Sequence, residues 1–205
     1  MGLVASSSLA VPLTVEDGAA LVRRAAAGVR ARLAGRPLDG RPPARSALRA
    51  LGASFVTLER GGALRGCIGS LEPVRPLFVD VVRNAVKAMT DPRLPPVRPG
   101  EWPGLDVKVS VLSYPVPLPV VDRDGLLAEL RPGLDGLIFA DDRLRATFLP
   151  AVWTKLPDPA RFVAALLDKG GWPPDGWPAG LQVYRYATTE FFDRAEDAAV
   201  DRLAL

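Results

Sequence analysis

The sequence contains no histidine, and it contains a single cysteine, Cys67. Histidine is the commonest metal ligand and the usual general base at neutral pH, so its absence excludes histidine-based catalytic triads. One thiolate cannot build a structural zinc site, and the carboxylates do not form the spaced acidic clusters that bind calcium or magnesium. Glycine-rich nucleotide-binding loops are missing as well. We therefore predict neither a metal nor a bound cofactor.

Long apolar runs are also missing. No stretch of about 18 apolar residues occurs, which argues against a membrane-spanning helix. A lone cysteine cannot form an internal disulfide and suits a reducing cytoplasm, where we expect the protein to work. Residues 1–13 lack the basic start of a secretory signal, and we expect them to form a flexible leader.

Lysine is scarce: of 26 lysines and arginines, four are lysine and 26 − 4 = 22 are arginine. The formal net charge is +3, and the isoelectric point is near 9.3. The arginines are scattered along the chain and form no dense basic run with interleaved aromatic residues. The isoelectric point is therefore the one observation that supports nucleic-acid binding, and we keep this function as an alternative.

Helices are predicted where capping residues precede an apolar stripe. Thr14 and Asp17, three residues apart, form the capping box of the first helix, which Gly35 ends. Further helices are predicted over residues 76–89, around Leu126 and over 160–169.

Strands are predicted from alternating or β-branched segments. Residues 53–60 and 63–68 form a hairpin, because Gly61 and Gly62 supply the positive φ angles of a tight turn. Other strands are predicted over residues 105–112 and 181–188, with a second hairpin near Asp141 and Asp142. These elements alternate through hairpins without repeated β-α-β units. The pattern predicts an α+β fold with a mixed or antiparallel sheet and packed helices.

Cys67 lies in the return strand of the first hairpin, within the segment LRGCIG (64–69). Arg65 shares its face in a regular strand, and a cation within about 4–6 Å favours a thiolate, the form in which cysteine is a nucleophile. Gly66 and Gly69 carry no side chains, so a ligand or another backbone can approach closely.

Charged residues downstream complete the candidate site. Glu72, Asp80, Asp91 and Arg93 supply an acid, a base and an anion clamp if their loops converge on Cys67. Three interpretations of the motif remain open: a small buried side chain whose neighbouring glycines relieve crowding, a ligand- or partner-binding site, and a covalent nucleophile. The absence of histidine weighs against the third.

Several motifs together resemble the AMMECR1 domain family. They occur in the order LRGCIG (64–69), RNAVKAMTDPRLPP (83–96), VSVLS (109–113), LDGLIF (134–139) and RATFLPAVWTKLPD (145–158). The resemblance implies two unequal subdomains that form one compact unit over residues 14–192, with the cysteine motif facing a cleft between them. Residues 193–205 would then form a tail.

The resemblance implies no established activity. Prokaryotic members are often encoded beside a Memo-like, dioxygenase-related protein and a radical-SAM protein, which implies a shared pathway. Many relatives carry an acidic residue at the position of Val79, and a histidine and a second cysteine at the positions of Ala165 and Leu167. We therefore expect a module that binds a partner or an anionic small molecule. The alternatives are a Cys67-dependent enzyme and a nucleic-acid-associated protein.

Overall fold

The computed structural model describes residues 13–193. The predicted leader and tail therefore lie outside the described residues, apart from Leu13 and Asp193. The described chain divides into two compact units, one formed by residues 13–112 with 189–193 and the other by residues 113–188. Helices and antiparallel sheets occur together, which confirms the α+β class.

The structure contains five α-helices and ten strands within residues 13–193. The helices are α1 (Val15–Leu33), α2 (Ser46–Arg49), α3 (Leu77–Ala88), α4 (Arg123–Glu129) and α5 (Pro159–Gly170). The strands are β1 (Leu51–Gly52), β2 (Ser54–Arg60), β3 (Ala63–Gly69), β4 (Arg75–Pro76), β5 (Leu105–Leu112), β6 (Val116–Pro117), β7 (Gly136–Ala140), β8 (Arg145–Phe148), β9 (Gln182–Tyr186) and β10 (Thr188–Asp193). Two 3-10 helices cover Pro99–Gly104 and Pro150–Thr154.

The first unit contains a four-stranded sheet in the order β10-β5-β2-β3. On one face, Val56 and Leu58 of β2 and Val107 and Val109 of β5 join α1 and α3 in a core from which water is almost excluded. The predicted capping box begins α1: the Asp17 amide donates to Thr14 Oγ1 at 3.2 Å, and the Thr14 amide donates to Asp17 Oδ2 at 3.0 Å. The other sheet face carries the alternate residues of the same strands.

The hairpin of β2 and β3 turns through Gly61 and Gly62, both at positive φ as predicted. Pairing is regular as far as Glu59 opposite Leu64, and then Leu58 lies opposite Gly66. Arg65 is therefore the extra residue of a β-bulge, a feature that we did not predict. From this point Cys67 lies opposite Thr57, whereas a regular hairpin would have placed it opposite the core residue Val56.

The second unit is built on a sheet in the order β6-β9-β7-β8. Helix α5 follows the cap residue Asp158 and is closed by Gly171, whose φ is 86°. Trp153 stacks on Phe162 with 3.9 Å between the ring centroids, and its indole N–H donates to the Asp135 carbonyl at 2.8 Å. Trp153 is thus a core residue.

Strand β10 is the main element that the sequence did not predict, since the last predicted strand ended at residue 188. Within residues 13–193, every helix is too short or too polar to span a bilayer.

Candidate functional site

The sheet face turned away from α1 and α3 carries Cys67, and we call it the polar sheet face. Thr57 lies opposite both Cys67 on β3 and Lys108 on β5, so these three side chains form a row across the sheet. The face comprises Phe55, Thr57, Glu59, Leu64, Cys67, Asp106, Lys108, Ser110, Glu190 and Phe192.

Cys67 is half-buried, and the Thr57 hydroxyl donates a hydrogen bond to its sulfur at 3.2 Å. The Cys67 N–H and C=O both point to the outer edge of β3, so Cys67 and Thr57 form a non-hydrogen-bonded pair of the ladder. Side chains in such pairs approach closely. Within residues 13–193, Thr57 supplies the one hydrogen bond made by this thiol.

Asp91 and Arg93 hold the outer edge of β3, and we call them the edge clamp. The Cys67 N–H donates to Asp91 Oδ2 at 3.0 Å, and Arg93 Nη2 donates to the Cys67 carbonyl at 3.0 Å. Arg93 also binds the Asp91 carboxylate through two hydrogen bonds, of 2.9 and 2.6 Å. The clamp supplies the acceptor and the donor that a neighbouring strand would have supplied, which protects the free edge of the sheet.

The ion pair of the edge clamp favours the charged forms of both its side chains. The Asp91 side chain is fully buried, whereas 66% of the Arg93 side chain is exposed. Hydrogen bonds from the Arg93 side chain, with a further one from the Cys67 amide, hold the pKa of Asp91 well below its usual range. The same pairing raises the pKa of Arg93. Both groups therefore stay charged across the physiological range.

The structure places the Arg65 guanidinium on Glu101 and not on the cysteine thiol. Arg65 Nε and Nη2 donate to the two Glu101 carboxylate oxygens at 2.7 and 3.0 Å. The Arg65 hydrogen bonds lower the pKa of Glu101 to about 2. Arg65 occupies the bulge, where the regular alternation that would align it with Cys67 is interrupted. We had expected the Arg65 cation to lie next to the thiol, and the structure contradicts this. The guanidinium next to Cys67 is that of Arg93, which donates to the Cys67 carbonyl.

The two motif glycines are required by packing. A Cβ at Gly66 would lie 1.8 Å from the Ala88 carbonyl oxygen at the end of α3, and one at Gly69 would lie 2.2 Å from the Phe55 ring. Of the two alternatives that we expected at these glycines, a ligand or another backbone, Gly66 is approached by a backbone, and the Phe55 side chain fills the space at Gly69. Glu72 is exposed in the turn between β3 and β4.

A buried carboxylate anchors the end of the motif. Asp80 is fully buried and accepts hydrogen bonds from the Ser54 amide and hydroxyl, the Ser70 hydroxyl, the Arg75 guanidinium and the Asn84 amide, at 2.6–2.9 Å. Ser70 directly follows the motif, so this network fixes its position. Asp80, one of the four residues expected to supply an acid, a base and an anion clamp near Cys67, is thus a buried structural carboxylate. The polar pair Asp80 and Asn84, four residues apart on the apolar face of α3, was the available signal.

A hollow of about 380 Å³ opens on the polar sheet face beside Lys108, which lies in the same row as Cys67. Its lining is Glu59, Gly62, Asp106, Lys108, Glu190, Phe191 and Phe192. Lys108 Nζ lies 2.9 Å from Glu59 Oε2, and the Ser110 hydroxyl donates to Glu190 Oε1 at 3.3 Å. We had not predicted this hollow, because its residues come from separate strands and from the unpredicted β10.

The arrangement favours binding over covalent chemistry. The Cys67 thiol has a hydroxyl donor, but within the described residues no side-chain base hydrogen-bonds to it. Among residues 13–193, no group of three or more acidic or cysteine side chains is arranged to hold a metal ion. Rigid ion pairs on either side of the motif fix the strand that displays the thiol.

Fold and site together define an α+β protein whose polar sheet face carries its one cysteine on the edge strand. The chain belongs to the AMMECR1 family, whose profile matches residues 22–191. It is 38% identical to a protein of Methanothermobacter thermautotrophicus over 189 residues, which cover 89% of this chain and 97% of the relative. A protein of Methanocaldococcus jannaschii is 35% identical over 191 residues, covering 90% and 93%.

A solved structure agrees with this assignment. The uncharacterized protein PH0010 from Pyrococcus horikoshii superposes with a TM-score of 0.81 at 31% identity, covering 88% of this chain and 93% of that one. The similarity therefore extends over nearly the whole chain.

Proposed function

We propose that this protein is a cytoplasmic binding module whose polar sheet face takes up a partner, acting with Memo-like and radical-SAM proteins. The observation that carries the proposal is the display of the Cys67 side chain on this face. The bulge at Arg65 turns the side chain away from the core, and the edge clamp fixes its backbone. The cleft and the partner identities that the family resemblance implies stay predictions.

The charges of the polar sheet face favour a partner whose contacting surface is positively charged. The anionic ligand that we expected relied on Arg65 and Arg93, but each of these guanidiniums is matched by a carboxylate. The hollow contains three carboxylates and one lysine. Leu64 and Phe192 on the same face are 45% and 63% exposed, and they offer the apolar contacts that protein interfaces use.

A titration with purified Memo-like and radical-SAM proteins from the same genome tests the proposal. We expect saturable association that Glu190→Lys weakens at least tenfold, because the substitution replaces a carboxylate of the hollow with a cation that repels a positively charged partner surface. Glu129→Lys, an equal charge change at an exposed position of α4 outside the polar sheet face, is the matched control and should bind like the wild type. Cys67→Ser should bind within about twofold. Failure of both proteins to associate, or equal losses in the two charge-reversed variants, would overturn the proposal.

A second candidate is a cysteine-dependent enzyme, which the hydrogen bond from Thr57 to the sulfur favours. In this case Cys67 should react with iodoacetamide at pH 7 faster than free cysteine does, and Thr57→Val should slow the reaction. A wild-type rate no higher than that of free cysteine removes this candidate.

A further inference from the structure

A second hollow lies on the helical side of the first unit, with the sheet between it and Cys67. Its volume is about 240 Å³, and it lies between the C-terminal half of α1 and the connector that follows this helix. The lining is Arg24, Ala27, Gly28, Arg30, Ala31, Arg36, Pro37, Asp39 and Val82. Three guanidiniums therefore surround a floor of small residues.

Arg24 differs from the arginines that bind a carboxylate, such as Arg65, Arg75 and Arg93. Arg24 instead donates to the Arg41 carbonyl at 2.9 Å, and its guanidinium lies over the Phe78 ring at 5.2 Å. Within residues 13–193, neither Arg24 nor Arg36 forms an ion pair with a carboxylate. Neutral partners thus hold Arg24 in place, and no direct ion pair within residues 13–193 neutralises its charge.

The one acidic residue of the lining is already occupied. Arg41 binds the Asp39 carboxylate at 3.1 Å through both Nε and Nη2. These hydrogen bonds, with a smaller contribution from Arg24, lower the pKa of Asp39 to about 2. The carboxylate therefore stays charged and matched by Arg41, which leaves Arg24 and Arg36 as lining cations without a carboxylate ion pair within residues 13–193.

The floor explains why there is space beside these arginines. Ala27 and Ala31 are one helical turn apart on α1, so their short side chains leave a recess along this stripe. Gly28 lies beside them, where a Cβ would come within 3.0 Å of Val82 Cγ1, so α1 packs closely against α3 here. The recess is thus fixed by helix packing.

The geometry points to a binding site for the phosphate group of a small molecule. Guanidinium groups match phosphate oxygens in paired hydrogen bonds, and the two of Arg24 and Arg36 suit a doubly charged group better than a singly charged carboxylate. The hollow is smaller than the roughly 300–1,000 Å³ typical of drug-sized ligands. It therefore suits a phosphate or diphosphate with a small attachment. The site is independent of the function proposed for the polar sheet face.

Calorimetric titration of the full chain with pyrophosphate at physiological salt tests this site. We expect saturable binding that Arg24→Gln with Arg36→Gln weakens at least tenfold. The matched control is Arg23→Gln with Arg32→Gln, which removes two charges from exposed positions of α1 outside the hollow and should change affinity less than twofold. Ala31→Met keeps every charge, suits a helix and fills the recess, so it should also weaken binding.

Three results would overturn the proposal. The first is an absence of saturable binding. The second is an equal loss of affinity in both arginine pairs, which would indicate general attraction to a basic surface. The third is binding of anionic phospholipid vesicles or of an oligonucleotide through Arg24 and Arg36 when pyrophosphate does not bind, because the phosphate would then belong to a membrane or a nucleic acid.

Discussion

At the scale of single residues, Gly66 is the position of the motif that least tolerates a side chain. An alanine Cβ there would lie 1.8 Å from the Ala88 carbonyl oxygen, so β3 or the end of α3 would have to move. We expect Gly66→Ala to lower the free energy of unfolding by roughly 1–3 kcal/mol or more, measured by urea denaturation. Gly100→Ala, at a glycine with no atom within 4 Å of the added Cβ, is the control. Equal stability of the two variants would contradict this account.

The bulge at Arg65 explains why the side-chain direction of Cys67 could not be predicted. The two turn glycines and the β-branched strand residues correctly predicted the hairpin. With a two-residue turn, however, regular pairing places Cys67 opposite Val56 and on the core face. One extra residue reverses the face of everything that follows it, and no residue type in LRGCIG requires a bulge there. The contacts of Arg65 with Glu101 are long-range, and sequence patterns do not report them.

At the scale of elements, the edge clamp stabilises β3. Asp91 and Arg93 are two residues apart, as are the exposed Asp39 and Arg41, which form a similar paired ion bridge. Asp91→Asn should speed hydrogen exchange of the Cys67 amide and lower stability by about 1–3 kcal/mol, since a buried charge-assisted bond is weakened.

Asp39→Asn is the matched control for the clamp, because it alters an Asp–Arg ion pair of the same spacing that lies at the surface. It should leave the Cys67 amide and the urea midpoint unchanged. If both variants behave alike, the clamp does not hold the strand.

Element prediction succeeded where periodicity is local and failed where polar groups are buried. Strand β5 occupies the predicted residues because Leu105, Val107 and Val109 alternate with polar residues, and α1 begins at its capping box. The role of Asp80 escaped prediction because its five donors come from separate segments of the chain. Strand β10 and the hollow beside it escaped for the same reason.

At the scale of the whole molecule, acid should weaken the fold through Glu101. Its pKa is about 2 in the folded protein and 4.5 ordinarily, so the stabilisation is complete above about pH 4.5 and is lost as pH falls through 2. Glu101→Gln should lower stability at pH 7 by roughly 1–3 kcal/mol and flatten its decline between these pH values. Arg65→Met should flatten it similarly, because the lowered pKa requires both partners. An unchanged pH profile in both variants would contradict the pairing.

The central claim is that the polar sheet face displays Cys67 to a partner, and one thiol measurement tests it most directly. Since the chain has one cysteine, Ellman's reagent reports on Cys67 alone. We predict that the native protein reacts without unfolding, and that a saturating Memo-like or radical-SAM protein slows the reaction at least tenfold, while Glu190→Lys removes this protection. A thiol that reacts only in denaturant, or at the same rate with and without both proteins, would contradict the account.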